Sequence, residues 1–229
     1  MKALVTREMN QYSVEDLKID PPKAGELRIK MGATGVCHSD LSVINGTLPL
    51  ARPMVLGHEG AGVVAELGPG VSGFAVGDHV VLSFAPACGN CHFCRTKQPQ
   101  FCTIGQPHGR MLDGTARVHA KDGADVGVMQ FLGCMAEESI VPAISACKID
   151  KSIPLDRAAL VGCGVMTGVG AAINTAKVTP GSSVAVFGCG GVGLSIIQGA
   201  RLAGAAKIIA VDVADKKLEM AGTSAPRTP

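Results

Sequence analysis

Four cysteines fall within fifteen residues, in the stretch Cys88-Gly-Asn-Cys91-His-Phe-Cys94-Arg-Thr-Lys-Gln-Pro-Gln-Phe-Cys102. Two Cys-x-x-Cys turns and a closing cysteine allow four thiolates to converge as a tetrahedron, the geometry a structural zinc requires. An iron–sulfur cluster also takes four thiolates. Zinc is preferred, because one compact loop encloses one ion and Gly89 and Pro99 suit its tight turns. The plain alternative is a disulfide-rich loop. Against it, the opening residues Met1–Glu8 contain too short an apolar run for a signal peptide. Thiols in a reducing compartment more often hold metal than pair.

A second stretch reads Gly188-Cys189-Gly190-Gly191-Val192-Gly193. A lone Gly-x-Gly-x-x-Gly is weak evidence. Here the apolar β run Ser183–Phe187 precedes it, and a helical segment follows to about Ala203. A second β run, Lys207–Val211, then ends at Asp212, 24 residues after Gly188. That is where an acid meets an adenosine ribose in a dinucleotide site. The glycines permit a tight turn and close approach to a pyrophosphate, whose charge the helix N-terminus stabilises. A carboxylate at Asp212 repels a 2′-phosphate, which favours NAD over NADP. An ordinary glycine-rich strand–helix junction is the alternative.

Cys37, His58 and Cys163 also stand out, each beside glycine: Gly35-Val-Cys37, Gly57-His58 and Gly162-Cys163-Gly164. Singly they carry little weight, since a buried cysteine is usually a small hydrophobe and a lone histidine is usually structural. Their occurrence together with a cofactor motif is what makes them candidates.

The elements that must position these residues follow from the patterning. Lys2–Thr6, Leu27–Met31, Ala61–Leu67 and His79–Phe84 are short strand-like runs with Gly and Pro punctuation, which predicts a compact β-barrel to about residue 150. Residues 35–40 predict a helix start or turn, and residues 103–129 predict loop and short strands. From Leu155 the texture becomes helical, with Asp156–Leu160 and Gly168–Ala176 favouring helix before a turn at Pro180-Gly181. The 229 residues are 47% hydrophobic and 17% charged, which excludes a disordered chain. Net charge is +2, with no Trp and one Tyr, so stacking platforms for nucleic acid are scarce and no nucleic-acid partner is expected. The nearly uncharged window Val184–Ala200 holds five glycines, so a buried strand–turn–helix is expected there and no membrane span. A cytoplasmic home follows. His79 and His92 read as structural, Glu137-Glu138 as a solvated face, and Cys134, Cys147 and Cys189 as free thiols. His108 and His119 receive no role.

Taken together, these motifs resemble the zinc-containing, medium-chain alcohol dehydrogenases. The resemblance runs from Met1 to about Ala221. It is carried by Gly-Val-Cys37-His-Ser39-Asp40, Gly57-His58-Glu59-Gly60-Ala-Gly62-Val, Gly77-Asp78-His79-Val80, the Cys88–Cys102 lobe, Gly162-Cys163-Gly164-Val-Met-Thr167-Gly168 and Gly188–Gly193. Quinone reductases of the same superfamily generally lack both zinc sites and fit poorly. The resemblance implies a mixed α/β fold: a GroES-like β-barrel catalytic domain over residues 1–174, with the structural-zinc lobe at 88–102. A truncated Rossmann NAD-binding domain would follow over residues 175–221, and an aberrant tail over 222–229. It implies two zinc ions per chain, one on Cys88, Cys91, Cys94 and Cys102, the other, catalytic, on Cys37, His58 and Cys163. Glu59 would be a nearby carboxylate, Asp40 would hydrogen-bond His58 as outer carboxylates do, and Ser39 would start a proton relay. His38, Gly188, Gly190, Gly191, Val192, Gly193, Asp212 and Lys217 match cofactor-binding positions. Leu48, Phe84 and Met135 match the substrate pocket.

The implied activity is oxidation of a primary or aromatic alcohol, or a thiol–formaldehyde adduct, to the aldehyde by hydride transfer to NAD. Zinc would lower the pKa of the alcohol, and the nicotinamide would supply the redox chemistry. The implied partners are a small-molecule alcohol or aldehyde and, for the family's untruncated members, further copies of the chain as a homo-oligomer. Two departures stand out. His38 replaces an arginine that meets the pyrophosphate and lacks its guanidinium fork. Ser42 replaces the histidine that ends the relay.

The alternative is a truncated, catalytically impaired zinc-binding fragment. The segment Gly222-Thr-Ser-Ala-Pro226-Arg-Thr-Pro229 replaces the expected Phe-Gly-Ala-Thr-like turn, and a one-base frameshift accounts for it. Pro226 is expected to stop a helix. Little turnover is therefore expected of the 229-residue chain. Sequencing the coding DNA tests the frameshift, which an unshifted frame with a natural stop would remove; robust turnover would contradict the expected inactivity. In an intact relative with these residues, Asp212→Gly should weaken NAD binding and relax discrimination against NADP. Unchanged cofactor preference would sink that assignment.

Overall fold

The computed structural model describes residues 1–105 and 109–224. His108 and the tail from 225 onward, both considered above, lie outside the described residues. The chain divides into two compact units, Met1–Gly162 and Cys163–Pro229.

Among the described residues, the first unit holds eleven strands: β1 (Lys2–Thr6), β2 (Ser13–Asp16), β3 (Lys18–Ile19), β4 (Glu26–Thr34), β5 (Met54–Val55), β6 (Gly60–Leu67), β7 (His79–Leu82), β8 (Val118–His119), β9 (Asp125–Val128), β10 (Glu138–Pro142) and β11 (Ala146–Lys148). They form two sheets, ordered β2-β1-β5-β9-β8-β3 and β10-β4-β6-β7-β11, which curl as half-barrels. Three short helices accompany them: α1 (His38–Ile44), α2 (His92–Arg95) and α3 (Leu155–Ala158).

Alternation drives the packing, since successive side chains on a strand point to opposite faces. In β4, Leu27 and Ile29 are buried and join Val64, Val80, Leu82, Leu132 and Val141 in one core. In β1, Ala3 and Val5 face a second core with Val55, Val118, Val126 and Ile140. The expected strand Leu27–Met31 extends to Thr34, because antiparallel pairing with β6 continues through Ala33↔Ala61 to Thr34↔Gly60. The expected run His79–Phe84 ends earlier, at Leu82. Glu138 departs from a solvated face: its carboxylate accepts from Arg28 Nη1 at 2.9 Å, across the β4–β10 pair.

One buried ion pair ties the sheets' connections together. Arg117, 2% exposed, donates to both carboxylate oxygens of Glu26, from Nε at 2.9 Å and from Nη2 at 2.7 Å. Its Nη2 also donates to Asp113 at 2.8 Å. Planar guanidinium matches carboxylate in this two-point contact.

The second unit contains α4 (Gly164–Gly170), which continues into a π-turn at Ala171–Thr175, then β12 (Ser183–Phe187), α5 (Gly191–Leu202), β13 (Lys207–Val211) and α6 (Asp215–Ser224). Strands β12 and β13 are parallel and in register from Ser183↔Lys207 to Phe187↔Val211. The uncharged window therefore folds as strand, turn and helix. Among the described residues, no single helix is long and apolar enough to cross a membrane. Helix α6 runs to Ser224, past Ala221.

Breaking the Arg117–Glu26 pair leaves a buried charge unpaired. Arg117→Met should cost about 3–5 kcal/mol of unfolding free energy, and the double variant Arg117→Met/Glu26→Leu should recover most of it. Denaturant unfolding checks this; equal losses in the single and double variants would contradict it.

Candidate metal and dinucleotide sites

The pairing Thr34↔Gly60 sets the first site, because it places the segment leaving β4 beside the segment entering β6. The N–H of Gly35 and the hydroxyl of Thr34 both donate to the Glu59 carbonyl, each at 2.9 Å. Cys37 is the N-cap of α1, with extended backbone (φ −109°, ψ 153°). Asp40, three residues into that helix end, turns back: its Oδ2 accepts the Cys37 N–H at 2.9 Å. Its Oδ1 accepts the Gly57 N–H at 3.2 Å and lies 3.2 Å from His58 Nδ1. One buried carboxylate thus anchors the backbone on both sides of the site and orients the imidazole. Gly57 has φ +95°, and a Cβ there would meet the Met135 N at 2.6 Å, so only glycine delivers His58 in this direction.

The result is a cluster in which the ligand atoms of Cys37, His58 and Glu59 lie within 4.8 Å of one another. His58 and Glu59 are buried. Burial opposes ionisation of the Cys37 thiol, but the backbone N–H and hydroxyl of Ser39 and the His58 ring together bring it below its ordinary value. Ser39 Oγ lies 3.7 Å from Cys37 Sγ. The donor set of thiolate, imidazole and carboxylate is one that zinc accepts. The Phe84 ring meets the His58 ring edge-on, with centroids 5.7 Å apart. Leu48 and Met135 both pack on the cluster of Val43, Met54, Leu56 and Met129. Cys163 is bonded through its peptide to Gly162 and opens the second unit. Ser42 Oγ lies 3.4 Å from His38 Nδ1.

The cysteine lobe is built from α2, whose N-cap is Cys91, and a 3-10 turn at Pro99–Phe101 that ends on Cys102. The four Sγ atoms of Cys88, Cys91, Cys94 and Cys102 lie within 4.8 Å of one another, and those of Cys91 and Cys102 are 3.8 Å apart. A tetrahedron of zinc–sulfur bonds of about 2.3 Å has edges of about 3.8 Å, whereas a disulfide is about 2.05 Å. All nine cysteines are free thiols, so the disulfide alternative falls away. The backbone N–H groups of Cys94 and Thr103 bring the Cys91 thiol down to about 6. Burial, with Cys91, Cys102 and Cys88 crowding it, pushes Cys94 up to about 12. Four thiols this close ionise together only around a cation.

In the second unit, Gly188 has φ +91°. A Cβ on Gly193 would meet the Gly188 carbonyl at 1.8 Å, so the turn closes only with glycine there. Around Gly190 and Gly191, an added Cβ meets nothing within 4 Å, leaving backbone open at the start of α5. This is a cradle that suits a pyrophosphate. Asp212 accepts the Cys189 N–H at 2.8 Å and the Ala214 N–H at 3.0 Å, which together hold its carboxyl below the usual range. Lys217 Nζ lies 3.8 Å from Asp212 Oδ2.

Sequence reading missed two features. Cys134 sits fully buried, and burial together with the negative charges of Asp40 and Glu59 pushes its thiol far up. His119 lies between two carboxylates, Asp125 and Asp20, each at 3.0 Å. Neither has a local sequence signal: the neighbours of His119 arrive through the pairing of β8 with β3 and β9, and those of Cys134 come from α1 and the residue before β6.

Half-barrels bearing a four-thiolate lobe and a Cys–His–Glu cluster, in one chain with a Gly-x-Gly-x-x-Gly unit, define a class of zinc-binding dehydrogenase folds. The family model described as "Alcohol dehydrogenase GroES-like domain" matches residues 23–151, and the chain belongs to the zinc-containing medium-chain alcohol dehydrogenase family. It is 48% identical over 211 residues to the S-(hydroxymethyl)glutathione dehydrogenase of Saccharomyces cerevisiae, covering 90% of this chain and 54% of that protein. Among solved structures, the alcohol dehydrogenase zinc-binding domain protein from Burkholderia ambifaria aligns with TM-score 0.91 and 38% identity, over 97% of this chain and 61% of that one. Benzyl alcohol dehydrogenase from Acinetobacter calcoaceticus aligns with TM-score 0.88 and 36% identity, over the same shares. The chain thus spans between half and two thirds of the length of these relatives.

Asp40→Ala should leave the N–H groups of Cys37 and Gly57 without their acceptor. Each buried unpaired group costs about 1–3 kcal/mol, so thermal unfolding should move down by several degrees. An unchanged midpoint would show that Asp40 does not anchor the site.

Proposed function

We propose that this chain carries the metal- and cofactor-binding residues of an NAD-dependent alcohol dehydrogenase acting on a primary or aromatic alcohol or a thiol–formaldehyde adduct. The observation that carries the reading is the convergence of Cys37, His58 and Glu59, with Asp40 fixing the His58 ring. Cys163 is the third ligand in this proposal. A Cβ on its neighbour Gly162 would lie 3.7 Å from Glu59 Cα and 2.5 Å from the Leu82 carbonyl, so the backbone passes close to Glu59 just before Cys163. Zinc held there would supply Lewis acidity that lowers the pKa of a hydroxyl, and bound NAD would supply the hydride acceptor.

The chain's own residues then have distinct tasks. Two thiolates and a neutral imidazole leave a position for substrate. Asp40 holds His58 in one tautomer and orientation. Ser39, beside Cys37, receives the alcohol proton, and the nearby pair of His38 and Ser42 offers the next polar groups. Phe84, edge-on to His58, supplies an apolar wall suited to an aromatic alcohol such as that named for the Acinetobacter relative. The thiol adduct is supported by the yeast relative. Gly188, Gly190, Gly191, Val192 and Gly193 would receive the pyrophosphate, and Asp212 with Lys217 the adenosine ribose.

Elemental analysis should find two zinc ions per chain. Cys94→Ser should remove the lobe ion and lower stability, whereas Cys37→Ser or Cys163→Ser should remove the other. One ion or none in metal-replete protein would contradict this. In a full-length enzyme with these residues, NAD reduction with benzyl alcohol, ethanol and S-(hydroxymethyl)glutathione ranks the substrates. Failure to oxidise all three would reject the substrate classes proposed.

A further inference from the structure

Gly35 stands two residues before Cys37 and is not one of the glycines with positive φ. Its backbone therefore suits any L-residue, and what excludes a side chain is space. A Cβ built on Gly35 would lie 1.9 Å from Glu59 Oε2 and 3.0 Å from Glu59 Cβ and Cδ. The three nearest heavy atoms all belong to the Glu59 side chain. The volume that a side chain at position 35 would occupy is thus filled by the Glu59 carboxylate.

That carboxylate is buried, and one of its oxygens is within 4.8 Å of the ligand atoms of Cys37 and His58. It therefore lies beside any metal that Cys37 and His58 hold, and zinc accepts carboxylate oxygen at about 2.0–2.2 Å. We propose that Gly35 is a positioning residue. Its missing side chain forms the niche that holds the Glu59 carboxylate off the ion and keeps one coordination position open. The inference rests on the metal reading of Cys37 and His58. Because the closest clash is with the far end of a flexible side chain, alanine at position 35 displaces the carboxylate and leaves the backbone bond from Gly35 N–H to the Glu59 carbonyl intact. The displaced anion goes to the neighbouring cation, where it occupies the position otherwise left for substrate.

The test uses the full chain loaded with cobalt(II) in place of zinc, because the visible spectrum of cobalt reports its ligands without turnover. Gly35→Ala should change the bands that Cys37→Ser removes, in the direction of an added oxygen ligand. A chelator should then extract that ion on the order of 10-fold more slowly, the scale on which residues around a metal's ligands alter its affinity. Gly35→Ala/Glu59→Ala should fold, load cobalt and match Glu59→Ala alone in both readouts. An unchanged spectrum in Gly35→Ala would overturn the proposal, as would a change that persists in the double variant. A double variant that fails to fold would also overturn it, since the clash would then lie elsewhere than Glu59. If Cys37→Ser leaves every cobalt band in place, the metal reading fails and this inference with it. If Cys37→Ser removes the bands but Gly35→Ala leaves them unaltered, only the role of Gly35 falls.

Discussion

The first site depends on the Asp40 carboxylate. It is buried, and it reaches three places at once: the N–H of Cys37, the N–H of Gly57 and the ring of His58. A buried charge is tolerable only when such partners stabilise it. The contacts also join two segments that belong to different strands' ends, one leaving β4 and one entering β6. Without them, the Cys37 and Gly57 N–H groups would lose their shared acceptor, although the bonds from Gly35 and Thr34 to the Glu59 carbonyl would still hold the two segments side by side. The zipper of β4 and β6 brings these segments together, and Asp40 fixes how they face each other.

The lobe solves a different problem. It has little apolar core of its own: Phe93 and Phe101 pack 5.9 Å apart at their centroids, and Phe101 is largely exposed. A segment this small cannot offset its conformational entropy by burial alone. In the proposed two-zinc reading, four thiolates around one ion would supply the missing stabilisation. Burial first, and the neighbouring thiols second, push the Cys94 thiol up, and a bound cation would oppose both effects.

Much of this was legible in the sequence where local pattern decides structure. Lys2–Thr6, Ser183–Phe187 and Lys207–Val211 are strands with the bounds expected, because each is a short run of β-favouring residues between turn signals. The cysteine lobe was legible because metal-ligand spacing is local. Strands β3 and β5 were not, since each has two residues and exists only through its partners. Likewise Glu138 looks like a solvated acid until β10 pairs with β4 and brings Arg28 alongside. The niche at Gly35 was illegible for the same reason: Glu59 lies 24 residues later and arrives through the β4–β6 register.

The central claim is that two separate groups of side chains in this chain each hold one zinc ion. Anomalous diffraction from crystals of the metal-replete protein at the zinc absorption edge tests it most directly. The account predicts two peaks per chain, one at the centre of the Cys88, Cys91, Cys94 and Cys102 sulfurs and one bonded to Cys37 Sγ and a His58 ring nitrogen. A single peak, or a second peak away from Cys37 and His58, would contradict it.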